Sequence, residues 1–385
     1  MGAEDLKQVR AAFAREIQQL GNIRSENLIA GLAAVPREDF MGPGPWKVVR
    51  AKEMAAGYQL TPDAHPRHLY ENVLVALDAE RRLNNGEPLG LMLFLDSLSL
   101  QPGERFLHIG CGVGYYTAVA AHALGPTGAV TAVEVDPALA ARAESNLKPY
   151  PSVRCIAGDG SHQRYGEFDA IFVNAGCTRP EAAWLDQLAI GGRLLLPLTV
   201  ALPSMPGIGA GSMLLVTRTG EGYAARFTSP VGIFHCEGAR SAEGEAALGR
   251  AFAGGNQPSV QSLRRDAHAP GPDCWLHGEG FCLQSNALLR RAERKEIAVG
   301  AGILARYLGR YQLTPNMVLQ VTVREGGLSV KIAEHPTVPI YPESETGFFY
   351  KGLDAQIRFV TDASGAVTGL VFHNQGQELP APRVG

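Results

Sequence analysis

Gly110-Cys111-Gly112-Val113-Gly114 stands between the apolar run RFLHI and the helix-like stretch YYTAVAAHAL. Glycines in such a turn let the backbone reverse sharply and let a ligand lie against bare peptide. Glu134 ends the next apolar run, AVTAVE. A carboxylate there has the lone pairs to accept both hydroxyls of an adenosine ribose. Gly158-Asp159-Gly160 follows a third run, VRCIA, and places Asp159 to meet an adenine amino group. A lone glycine turn is weak evidence, but three such features close successive strands, and open α/β sheets bind ligands at strand ends.

The kind of nucleotide follows from what is missing. A dinucleotide turn carries Gly or Ala where this chain has Tyr115, and no lysine-bearing phosphate loop is present. A tight glycine turn with no pyrophosphate to cradle fits S-adenosylmethionine. The expected contacts are Gly110, Cys111, Gly112, Gly114, Tyr115, Glu134, Asp159 and Gly160.

The elements that must position these residues are legible as alternating patterns. Between residues 104 and 198, short apolar runs alternate with helical stretches such as PALAARAESNL, which begins with proline. Strand–helix alternation predicts an α/β fold with a parallel sheet covered on both faces. Upstream, Leu6, Val9, Phe13, Ile17 and Leu20 form one helical stripe, and Ser25 is placed to cap the helix ENLIAGLAAV. Residues 69–77 read as extended and 89–98 as helical. Helical pieces near 242–253 and 286–295 bracket an irregular stretch. After Gly302 the pattern changes to short alternating strands, the signature of a small antiparallel sheet or barrel. Three segments result: 1–235, an irregular connector over 236–298, and a β module over 299–385.

Composition narrows the function. The 385-residue chain carries 35 basic and 38 acidic residues, a formal net charge of -3, with 45% hydrophobic residues. That mix excludes a disordered chain and supplies no global attraction to nucleic acid or anionic lipid. Leu194 to Thr217 lacks charge over a membrane-spanning length, but Pro197, Pro203 and Pro206 interrupt it, so it reads as strand–loop–strand. The N-terminus has no apolar signal segment, and six spread cysteines suit reduced thiols, so a cytoplasmic protein is expected. Cys236, Cys274, His277 and Cys282 have a loosely metal-like look. Without a second paired half they read as packed side chains, and no metal is expected.

Several separated motifs occur in one order: VPREDF, Tyr70, LHIGCGVGYYTA, TAVEVDP, AGDG, FDAIFVNAG and LDQLAIGGRLLLPL. In that order they resemble the protein-L-isoaspartate O-methyltransferases over roughly residues 5–235. The resemblance implies a seven-stranded, Rossmann-like methyltransferase sheet binding S-adenosylmethionine. The final stretch, including YLGRYQLTPNMVLQVTVREGGLSV, resembles a small β-barrel appended to β-lactamase-like serine hydrolases. Two departures stand out. The family's GQTIS-type segment, whose serine sits by the substrate, is replaced by Leu83-Asn84-Asn85-Gly86-Glu87-Pro88. The acid of its LEIG-type turn is replaced by His108, which reads as a core histidine.

Methyl transfer needs the nucleophile held in line with the methyl group and water excluded. A carboxylate acceptor is ionised at pH 7 and needs no base. It needs donors, which Asn84 and Asn85 beside Gly86 supply, so these two are the expected catalytic pair. Tyr70, Glu87 and Asn174 are expected on the substrate side. The expected activity is O-methylation of a carboxylate on a peptide or a small acid, without the isoaspartyl specificity of the family. Methylation of a metabolite hydroxyl or nitrogen, and a non-catalytic cofactor-binding protein, are the competing readings.

Overall fold

The computed structural model describes residues 3–285, 296–314, 317–324, 326–332, 337–351, 355–362, 364–374 and 377–384. The chain divides into two units, Met1–Leu288 and Leu289–Gly385.

The first unit is built on a ten-stranded sheet. Its parallel part runs, in spatial order, Val153–Ala157, Ala129–Glu134, Arg105–Ile109, Phe168–Val173 and Leu188–Ala201. Ile208–Arg218 and Tyr223–Phe234 extend it in antiparallel fashion, which completes the seven strands expected. Within residues 236–284 the expected helix forms over Ala242–Gly254, and the stretch read as irregular adds three further strands to the sheet. These are Ser262–Arg264, Phe281–Gln284 and Cys274–Gly278. The central strands are apolar runs because both faces are covered: Phe106, Leu107, Ala170, Ile171 and Phe172 are fully buried.

Helices form where the caps and stripes predicted them. Ser25 Oγ accepts the Leu28 N–H at the start of Glu26–Ala34. Asp136 accepts the N–H groups of Ala138 and Leu139, with Pro137 in the first turn of Pro137–Leu147. The Leu194–Thr217 region is two paired strands, with Leu196 opposite Leu214. Among the described residues, no helix is long and apolar enough to cross a membrane. A small four-stranded sheet includes Leu74–Asp78, which overlaps the second half of the 69–77 stretch read as extended, paired with Leu83–Asn84.

The second unit opens with the helix Ala301–Arg306 and continues as eight antiparallel strands in sequence order. A bridge from Tyr311 to Arg383 and a hydrogen bond from Val384 N–H to Arg310 O (2.8 Å) join the last strand to the first. Its interior is aromatic: the Tyr307 and Phe359 rings stack 4.0 Å apart, with Phe348 edge-on. The predicted helix at 286–295 lies outside the described residues.

Candidate functional site

Strand order reverses beside Arg105–Ile109. The chain proceeds outward on one side to Ala129–Glu134 and Val153–Ala157, then returns on the other side as Phe168–Val173. A crevice forms at such a switch point, outside the carboxyl ends of the strands. A cavity of about 640 Å³ opens there, ample for a nucleoside-sized ligand. Asn174 bridges the gap: its backbone N–H donates to Ile109 O (2.8 Å) and its Nδ2 to Gly110 O (3.3 Å).

Gly110, Cys111, Gly112, Glu134, Asp159 and Gly160 all line this cavity. Gly112 has φ of +58°, and a Cβ added there would meet nothing within 4 Å, so bare backbone faces open space. Its N–H donates to Glu134 Oε2 (2.7 Å), while the Asp136 N–H donates to Oε1 (3.1 Å). Glu134 is 6% exposed. Burial raises its pKa against the pull of these N–H groups. Burial pushes the Asp159 carboxyl up as well. Hydrogen bonds from His162 and from the Ser161 N–H (2.7 Å) outweigh that and hold it below the usual value.

Across the cavity lies the 83–88 segment. Asn84 Oδ1 accepts the Gly86 N–H (2.9 Å), and the Asn85 N–H donates to Val75 O (2.9 Å). Asn85 Nδ2 is buried in the cavity wall and has no hydrogen-bond partner among the described residues. Glu87 caps the helix Pro88–Ser97 with its backbone, and burial raises the pKa of its carboxyl. Asn84, Asn85, Glu87 and Asn174 are thus brought together with the glycine turn.

Three expected contacts do not reach the cavity. Gly114 has its role in packing: a Cβ there would sit 2.8 Å from Leu147, so glycine lets two helices approach. Tyr115 is fully buried, its ring edge-on to Phe40 and Tyr116. Tyr70 is also interior; its hydroxyl accepts the Arg37 N–H (3.1 Å) and donates to Glu38. His108 is a core residue, stacked on Phe172 and bonded through Nδ1 to Thr117 (2.9 Å). Burial lowers its pKa to about 3. Cys236 lies at the cavity, its Sγ 3.8 Å from Ser161 Oγ, away from the other residues of the metal-like pattern.

The opposite wall was missed by sequence reasoning. Leu202 and Met205 come from the loop between Leu188–Ala201 and Ile208–Arg218, and Val231, Ile233 and His235 from the end of the next strand, Tyr223–Phe234, and the residue after it. For Leu202 and Met205 the signal is the uncharged stretch with prolines, which fixes topology alone; Val231, Ile233 and His235 lie beyond it. His235 Nε2 is buried without a partner, and burial together with Arg240 lowers its pKa.

Comparison with known proteins agrees with this geometry. Residues 8–203 match the family model described as Protein-L-isoaspartate(D-aspartate) O-methyltransferase (PCMT). The protein-L-isoaspartate O-methyltransferase of Ignicoccus hospitalis is 30% identical over 230 residues, 59% of this chain and 96% of that protein. That of Gloeobacter violaceus is 30% identical over 214 residues, 54% and 89% respectively. A solved structure named protein-L-isoaspartate O-methyltransferase shares the fold with a TM-score of 0.50, at 16% identity over 97% of this chain and 99% of that one. Fold, site and relatives together define an S-adenosylmethionine-dependent methyltransferase. The chain belongs to the protein-L-isoaspartate O-methyltransferase family. Residues 293–381 match a model described as Domain of unknown function (DUF3471), which names no activity and no tie to serine hydrolases.

Proposed function

We propose that the enzyme methylates a carboxylate carried by a peptide or a small acid, and that generic isoaspartyl peptides are poor acceptors. S-adenosylmethionine supplies a methyl carbon on cationic sulfur; the acceptor oxygen bonds to that carbon as the carbon–sulfur bond breaks and leaves its electron pair on sulfur. Glu134 accepts the ribose hydroxyls, Asp159 the adenine amino group, and the bare backbone at Gly112 admits close approach. The observation that carries the reading is Asn85 Nδ2, a buried donor without a partner in the cavity wall. A carboxylate oxygen satisfies it, and an unsatisfied buried donor otherwise costs about 1–3 kcal/mol. Among the described residues Ser161 is the one Ser or Thr lining the cavity, and its hydroxyl already donates to Glu237 O (2.8 Å). The family's substrate serine therefore has no counterpart in the 83–88 segment. The apolar wall of Leu202, Met205 and Ile233 excludes water from a step in which opposite charges cancel.

Transfer of labelled methyl groups to a panel of acceptors tests this. A base-labile product on a carboxylate is expected, with weak labelling of isoaspartyl peptides. A base-stable product would move the assignment to a hydroxyl or nitrogen. Rapid labelling of generic isoaspartyl peptides would make the protein a plain repair enzyme.

A further inference from the structure

At the outer edge of the ten-stranded sheet, far along the strand order from the glycine turn, four side chains converge. His268, Cys274, His277 and Cys282 each offer one ligand atom, and these atoms all lie within 4.8 Å of one another. We propose that they form a tetrahedral, structural zinc site.

The convergence has a backbone cause. Residues three apart on a regular strand face opposite sides. Between Cys274 and Leu276 the register shifts, so Trp275 is the extra residue of a bulge. Cys274 then pairs with Gln284, and His277 with Cys282, while Leu276 pairs with Leu283. Cys274, His277 and Cys282 thereby share one face. Leu276 and Leu283 occupy the other and are buried in the core. A hairpin without the bulge would turn Cys274 away from the other two.

Distances and surroundings suit the metal. Zinc bonds of about 2.3 Å to sulfur and about 2.0–2.1 Å to nitrogen set tetrahedral S···N separations near 3.6 Å. Cys274 Sγ and His268 Nε2 are 3.5 Å apart. His268 Nδ1 lies 3.0 Å from the Asp266 carbonyl, which can only accept, so Nδ1 carries the proton and Nε2 presents its lone pair to the cluster. The Gly271 N–H (3.3 Å) and Gln284 Nε2 (3.7 Å) both donate to Cys274 Sγ, the support a thiolate ligand needs. Nδ1 of His277 is buried with no hydrogen-bond partner. Two soft sulfurs with two imidazoles select zinc among common divalent ions, and four protein ligands leave no open position for catalysis. The ion would pin the loop containing His268 onto an edge hairpin that lacks a further strand neighbour.

Elemental analysis of the full chain, purified without chelator, tests the site. Roughly one zinc per chain is expected. Replacement by Co(II) is expected to give a thiolate-to-cobalt charge-transfer band with strong tetrahedral visible bands. His268→Ala and Cys282→Ser should each lose most of the metal, and Cys236→Ser should keep it. If the variants do not fold, the cobalt spectrum of the unaltered chain decides alone. No bound metal together with no charge-transfer band, full metal retention in both His268→Ala and Cys282→Ser, or a Cys274–Cys282 disulfide in the purified chain would each overturn the proposal.

Discussion

The two sides of the cavity differ in how their polar groups are satisfied. On the glycine-turn side, Glu134 takes N–H groups on both carboxylate oxygens, and Asp159 is held by Ser161 and His162. On the 83–88 side and the opposite wall, Asn85 Nδ2 and His235 Nε2 are buried and have no partner. Each such orphan costs stability, and these two face a cavity where a ligand can complete the bond, unlike the buried Tyr115 hydroxyl. On the proposed function, the difference separates a side preorganised for one constant nucleoside from a side left open for the acceptor.

Substitutions can break or sharpen that contrast. The largest effect is expected at Gly112. Valine there meets a φ of +58°, unfavourable for a β-branched residue, and fills the space against the ligand. Gly112→Val should abolish S-adenosylmethionine binding in calorimetry, and normal affinity would remove the turn from the site.

Next is Glu134→Ala, which should weaken cofactor binding by about 1.5–3 kcal/mol, on the order of tenfold to 150-fold in Kd. The same side chain carries a pH signature. Burial raises its pKa, so Glu134 takes up its proton at a higher pH than an exposed glutamate does. If the ionised form accepts both hydroxyls as proposed, affinity is full above the raised pKa and falls as pH drops through it. Glu134→Gln should bind more weakly and lose that dependence. An acid-side profile identical in the two proteins would remove Glu134 from the ribose.

Asn85→Ala should act on the other side alone. Acceptor kcat/KM is expected to fall about tenfold or more, the worth of one hydrogen bond to a charged group, with cofactor affinity unchanged. Because Nδ2 has no partner in the free protein, the melting temperature should hold or rise. Unchanged turnover would reduce Asn84-Asn85-Gly86 to an ordinary turn. The smallest effect belongs to Tyr115→Phe. The buried Tyr115 hydroxyl makes no hydrogen bond and lies off the cavity, so cofactor affinity should not change. A tenfold loss would return Tyr115 to the contacts from which the structure removes it.

Sequence by itself determined the glycine turn, Glu134, Asp159 and the alternation of strands and helices. Each is written in a few consecutive residues: backbone freedom at a glycine, an apolar run, a capping side chain. The same local reading over-reached where the turn passes into the helix. Gly114 and Tyr115 follow directly in sequence, yet the start of the helix turns them toward Leu147 and Phe40. Tyr70 sits in a matching motif, but its partners Arg37 and Glu38 stand over thirty residues earlier, beyond any local pattern.

Only the tertiary structure decided the wall opposite the glycine turn and the His268 cluster. Leu202 and Ile233 reach the cavity because three long strands, Leu188–Ala201, Ile208–Arg218 and Tyr223–Phe234, pair antiparallel and carry their ends back over it. His268 has no fixed spacing that marks it, and Cys236 matched the pattern better on paper. The bulge at Trp275 chose among them, because one residue of register decides which face of a strand every later side chain takes.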